Sequence, residues 1–128
     1  MIFMPGVVGH SNGYYILGIC KQLRREMGWR TAIYNRRGFG GMPIIGKRLL
    51  GYELTEDFRE CVLQLKEELP DAPIYVFGVS LGGMHVQRYL IDYAGDSKVE
   101  ACFTISSAWN AQLSTAKFKK TFFTRFLV

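Results

Sequence analysis

The sequence predicts an α/β fold, a parallel sheet with helices on both faces. Three observations carry this. Short apolar runs alternate with amphipathic stretches from end to end, giving three successive strand–helix–strand units. The runs are apolar on both sides, as strands of a doubly covered parallel sheet must be. One of them, Ile74-Tyr75-Val76-Phe77, feeds directly into Gly78-Val79-Ser80-Leu81-Gly82-Gly83 and then a helical pattern.

Met1 to Met4 reads as a short strand, with Pro5-Gly6 turning out of it. Tyr14 to Met27 places Ile16, Ile19, Cys20, Leu23 and Met27 on one helical face, and Gly28 stands where a helix C-cap belongs. Arg30 to Asn35 contains the short strand Thr31-Ala32-Ile33-Tyr34. The segment from Arg36 to Gly51 holds five glycines and Pro43 and reads as irregular loop. Thr55 is a suitable N-cap for a second helix, and Glu56 and Asp57 favour the positive end of its dipole. Its predicted buried stripe is Phe58, Cys61, Val62, Leu65 and Leu69, and Pro70 to Pro73 end it. A third helix runs from Gly82 to Tyr93 and stops near Gly95, and a last strand spans Val99 to Ser106. No repeat, low-complexity tract or linker divides the chain.

The 128 residues suffice for one ordinary domain, and 48% hydrophobic against 21% charged residues is the balance of a chain that folds around a core. The net charge of +5 is spread over scattered pairs, among them Arg24-Arg25, Arg36-Arg37 and Lys47-Arg48. Scattered pairs form no nucleic-acid stripe and are expected to be a solvated face. Three cysteines lie far apart without a Cys-x-x-Cys pair, which favours buried free thiols in a reducing compartment. The two histidines, His10 and His85, fall in different elements, so no metal-ligand spacing is present. No run approaches the ~18 apolar residues of a membrane span. Gly38-Phe39-Gly40-Gly41 lacks both the Lys-Ser/Thr ending and the spaced glycines of a phosphate cradle.

Ser80 is the candidate nucleophile. A strand that reverses into a helix within a few residues forces its central residue into a strained backbone conformation. Glycines two before and two after leave room for the close approach. The hydroxyl then stands at the carboxyl end of a strand, where ligands of open α/β sheets bind.

Further pieces accompany the elbow in order: Pro5-Gly6-Val7-Val8-Gly9, Asn35-Arg36-Arg37-Gly38-Phe39-Gly40-Gly41, Thr55-Glu56-Asp57, Gly78 to Met84, and Ser106-Ser107-Ala108-Trp109-Asn110. With these the chain resembles the YheT-like branch of the α/β-hydrolase superfamily, over residue 3 to about residue 115. The resemblance implies a partial α/β-hydrolase fold of about four parallel strands, with the second strand outermost, the first beside it, then the elbow strand and the last strand. It implies Ser80 as nucleophile of a serine carboxylic-ester hydrolase acting through an acyl-enzyme on lipid or short-to-medium acyl esters. It gives the backbone N–H groups of Val7 and Leu81 as the oxyanion hole, and no metal or organic cofactor. Any membrane association would lie in regions outside this chain, largely ahead of the core domain.

By the same resemblance, the catalytic Asp and His follow strands later than the last one here, so the chain is expected to be a fragment that is inactive alone. His85, five positions along the helix that Ser80 opens, is poorly placed as a base and is expected to be a packed or surface helix residue. His10 shares the Val7 loop and could act as a substitute base, although a polar residue flanking the pocket is the stronger reading. Trp109 either lines the acyl pocket or fixes the turn after the last strand. Arg36 and Arg37 contact a polar head group or, more in keeping with their type, stay solvated. The tail from Phe118 to Val128 mixes aromatics with cations and corresponds to the start of a cap over the site, or else to a membrane-surface segment. The rival reading is a naturally short, non-catalytic binding or regulatory module. It would need to shield the uncharged, β-prone strand Ala101 to Ile105, which has no Pro or Lys to blunt edge pairing.

Overall fold

A computed structural model describes residues 1–44, 46, 51 and 54–120, with backbone alone for 118–120. Its elements are β1 (Ile2–Met4), α1 (Tyr14–Met27), β2 (Ala32–Ile33), α2 (Glu56–Glu68), β3 (Tyr75–Val79), α3 (Leu81–Tyr93), a 3-10 turn (Ala94–Asp96), β4 (Ala101–Ile105) and α4 (Ala111–Lys120). The sheet is wholly parallel in the order β2-β1-β3-β4. Strand order reverses between β1 and β3, so their carboxyl ends flank a crevice of the kind that holds ligands in open α/β sheets.

Alternation along β1 divides the core. Ile2 and Met4 face a cluster with Phe58 and Val62 of α2, Val86 and Tyr89 of α3, and Val76 of β3. Phe3 faces the other way, onto Ile16 and Cys20 of α1, with Phe77 half-buried beside them. The two faces are unequally covered. Among the described residues α1 alone supplies the buried partners of the second face, and there Phe103 and Ile105 of β4 remain 50% and 53% exposed.

The boundaries of α1 are those predicted, and Gly28 closes it in the left-handed region at φ 67°, donating its N–H to Arg24 while Trp29 reaches Leu23. The buried stripe is narrower than predicted: Ile16 and Cys20 are buried, whereas Ile19 and Met27 are exposed. Strand β2 shrinks to Ala32–Ile33, although Ala32 N–H to Met1 and Tyr34 N–H to Phe3 extend its pairing to β1. Strand β4 is likewise shorter than Val99 to Ser106, although Glu100 N–H to Ile74 extends its pairing to the chain ahead of β3. Thr55 precedes α2 but does not cap it; its hydroxyl donates to Asp92 of α3 at 2.7 Å, tying two helices together. Helix α4 was not foreseen. Asn110, whose Oδ1 accepts Leu113 N–H at 2.8 Å, starts it. Most of the tail assigned to a cap, from Thr121 on, lies outside the described residues.

Of the three thiols only Cys20 is buried; Cys61 and Cys102 are half-buried, and all three are free. Burial still raises both half-buried thiols, Cys102 to about 11.

Candidate active site

The site begins with the turn between β3 and α3, which leaves one residue, Ser80, belonging to neither. Its backbone lies at φ 53° and ψ −118°, a region costly for any residue with a Cβ. Ser80 N–H donates to Ile105 at 2.9 Å, and its carbonyl accepts from Gly83 and Met84 at 3.0 and 3.2 Å. The backbone is thus pinned on both sides, while the side chain is exposed. Close packing explains the flanking glycines. A Cβ on Gly82 would stand 2.1 Å from the Met4 carbonyl oxygen, and one on Gly78 would stand 2.6 Å from the Gly83 Cα. The first turn of α3 therefore lies directly on the end of β1.

That contact sets the loop after β1 beside the hydroxyl. A Cβ built on Gly6 would lie 3.4 Å from Ser80 Cβ and 3.9 Å from Ser80 Oγ. Val7 follows Gly6 in this loop, and Leu81 is the first residue of α3. A first-turn N–H has no carbonyl partner within its helix and sits at the positive end of the dipole. The structure thus brings Ser80, Leu81 and the Val7 loop together at one edge.

The histidines stand elsewhere. His10 is half-buried, and its Nδ1 accepts Asn12 N–H at 3.2 Å within its own loop. That bond occupies Nδ1 within the loop rather than toward Ser80. His85 is packed in the core at 2% exposure, edge-on to Tyr34 and Phe58, and neither ring nitrogen has a hydrogen-bond partner. Burial, with a smaller push from the Arg36 charge, lowers its pKa to about 4. Below about pH 6.5 the unfolded chain binds a proton there that the folded chain refuses until about pH 4. Stability should therefore fall across that window as pH drops, by about 3 kcal/mol in all. His85→Leu should remove most of this slope and the two orphaned nitrogens with it. Urea midpoints at pH 7 and pH 4.5 check the point; equal slopes in both chains would refute it.

Trp109 stands 83% exposed after β4, at the same edge of the sheet as Ser80. It has exposed apolar company there: Val7, Val8 and Met42 lie in loops after the carboxyl ends of strands, Tyr14 and Tyr15 open α1, and Ile105 ends β4. Two cavities are lined by described residues. One, of about 340 Å³, is lined by Trp29, Leu65, Leu69 and Tyr75 at the amino ends of the strands. The other, of about 520 Å³, lies outside β2 against α2.

Arg36 departs from the expectation of a solvated side chain, whereas the Arg37 side chain stays 41% exposed. Arg36 is 7% exposed and donates to the carbonyls of Gly6 and Val7, with its guanidinium over the Phe39 ring. Arg37 forms a two-pronged ion pair with Asp57, joining the glycine-rich loop to α2. Sequence reasoning missed Arg36 because burial of a charged residue follows from tertiary placement. The one available signal was its position three residues beyond a strand that neighbours β1.

A model of the alpha/beta hydrolase fold matches residues 1–127. The chain belongs to the alpha/beta hydrolase fold family. The chain is similar to the phospholipase ABHD3 of Mus musculus, 33% identical over 110 residues that make up 86% of this chain and 26% of that protein. It is 26% identical over 110 residues to a monoacylglycerol lipase of Saccharomyces cerevisiae, covering 86% of this chain and 24% of that protein. With the medium-chain fatty acid ethyl ester synthase/esterase 2 of the same yeast it shares 25% identity over 127 residues, 99% of this chain and 28% of that one. Among solved structures, mouse alpha/beta hydrolase domain-containing protein 10 superposes with a TM-score of 0.62 at 21% identity, over 94% of this chain and 44% of that one, a likeness of fold. The chain thus spans about a quarter of the length of the relatives it matches in sequence. Among the described residues, no helix is long and apolar enough to cross a membrane, and no cluster of His, Cys, Asp or Glu could hold a metal ion.

Proposed function

We propose that this chain forms the front and middle of the catalytic domain of a serine carboxylic-ester hydrolase acting on lipid or short-to-medium acyl esters. The observation that carries the reading is Ser80: exposed, alone between β3 and α3, and held at φ 53° beside the Gly6–Val7 loop. The fold family and the lipase, phospholipase and esterase names of its relatives support the lipid-ester class. The exposed apolar fringe around the same edge suits an acyl chain or the underside of a cap.

In this reading Ser80 Oγ attacks the ester carbonyl carbon and loses its proton to a general base. The carbonyl oxygen takes up negative charge and is held by the N–H groups of Val7 and Leu81. Collapse of the adduct expels the alcohol, protonated by the same base, and leaves an acyl-Ser80 ester. Water then hydrolyses that ester by the same steps in reverse roles. The base is not His85, buried and neutral, nor His10, whose Nδ1 is engaged in its own loop. We place the base and its orienting carboxylate in polypeptide outside residues 1–128, so that the isolated chain should turn over no ester. A fluorophosphonate probe tests the assignment. In the complete polypeptide carrying these residues, the phosphonyl group should map to Ser80 by peptide mass spectrometry, and labelling should block hydrolysis of p-nitrophenyl esters. Labelling at another serine, or full hydrolysis after Ser80 is labelled, would overturn it.

A further inference from the structure

The buried guanidinium of Arg36 has no part in the steps above, yet it is the only charged group that the described structure fastens to the loop beside Ser80. Its Nη2 donates to Gly6 O and, at 2.8 Å, to Val7 O, while Gly6 O also accepts Gly9 N–H at 3.1 Å. Its neighbour Asn35 holds the far end of the same loop, accepting Ser11 N–H at 2.8 Å and donating to Ser11 Oγ at 2.9 Å. The segment after β2 thus braces the loop after β1 at both ends.

The chemistry of this brace lies in the Gly6–Val7 peptide. In a trans peptide the C=O and the next N–H point in opposite directions and are coupled by resonance. Holding Gly6 O on one side of the loop fixes Val7 N–H on the other. A cation at that oxygen also draws electron density through the amide and makes the N–H a stronger donor. The hydrogen-bond partners of Arg36 are neutral carbonyls rather than a carboxylate, so its positive charge is not cancelled locally. Such a charge, fixed before reaction beside the loop, favours an oxyanion over the neutral carbonyl that precedes it.

We propose that Arg36 is a positioning residue for the oxyanion donor Val7, setting the direction of the Gly6–Val7 peptide and polarising it toward the reacting oxygen. This rests on the reading of Ser80 and Val7 given above. The test uses the complete polypeptide and a p-nitrophenyl ester, with a trifluoromethyl ketone as mimic of the tetrahedral adduct. Arg36→Met should lower kcat about 10- to 100-fold, short of the ~10²–10³ lost when a donor is removed outright. KM should change little, and affinity for the ketone should fall by the same factor as kcat. Arg36→Lys, which keeps the charge and is less disruptive should the methionine variant not fold, should lose less on both measures. Arg37→Met, which breaks the ion pair to Asp57, serves as the control for general loosening of the segment and should leave the ratio of ketone affinity to KM as in the parent. If Ser80→Ala retains hydrolysis, the nucleophile assignment itself fails. If Ser80→Ala is inert while Arg36→Met, or Arg36→Gln should the methionine variant not fold, matches the parent in kcat and ketone affinity, the Arg36 proposal alone is overturned.

Discussion

Replacing Ser80 with alanine in the complete polypeptide should reduce kcat for ester hydrolysis by four to six orders of magnitude. Glycine at the same position should do so while making the protein more stable. The first effect follows from losing the attacking oxygen, since removal of the nucleophile from a triad typically costs on the order of 10⁴–10⁶. The second separates a strained elbow from an ordinary turn. At φ 53° and ψ −118° a Cβ is unfavourable by about 1–3 kcal/mol. Alanine keeps that cost and glycine removes it, against a loss of roughly 0.5–1 kcal/mol for the freer unfolded chain. The glycine variant should therefore melt a few degrees above the alanine variant by calorimetry. A glycine variant that melts lower would show that the strain inferred from the dihedrals is not stored there, and kcat within about tenfold of the parent in both would remove Ser80 from the mechanism.

Gly82→Ala is expected to be the most damaging small substitution in the described fold. The added methyl would stand 2.1 Å from Met4 O and 2.5 Å from Pro5 O, both backbone atoms of the central strand and its turn. No rotamer change relieves such a clash. Either α3 lifts off β1 or β1 shifts, and each route separates Ser80 from the Gly6–Val7 loop. Overpacking in a well-packed core typically costs about 1–3 kcal/mol, and a clash against immobile backbone belongs at or beyond the top of that range. Denaturant titration should show the loss, and hydrolysis should fall further than the folded fraction does. Gly95→Ala is the comparison, because a Cβ there meets nothing within 4 Å. Similar midpoints for the two variants would contradict the packing described.

Much of this arrangement was legible in the residues because it is governed by local rules. The period of α1, the left-handed stop at Gly28 and the glycines around Ser80 each answer a backbone requirement that sequence spells out directly. The strand order also followed, through the resemblance carried by ordered motifs. What escaped depends on contacts between segments remote in sequence. Thr55 has the chemistry of a cap, yet its hydroxyl serves Asp92 because α3 packs alongside. Arg36 resembles any other surface arginine until the neighbouring loop surrounds it with carbonyls. His85 sits at a helix position that could have faced either way, and only packing against Tyr34 and Phe58 made it a neutral core residue. Asn110 was quoted as part of a motif without being read as the start of a helix, although its residue type is among those that favour that position.

The order of strands in the sheet also governs how quickly it can assemble. β1, first in sequence, is interior to the sheet, and its partner on one side is β3, with Ile2 opposite Val76 and Phe3 opposite Phe77. No hairpin can nucleate such a sheet. Each parallel pairing must first close a long stretch of chain, and the entropic cost of that closure precedes any reward from the contact. Helices α1 and α2 can flicker in within microseconds, but they have nothing to pack on until β1 and β3 meet. The meeting of these two strands is then the expected rate-limiting event. Truncating Phe77 should slow refolding more than it speeds unfolding, whereas truncating the peripheral Ile33 should do the reverse.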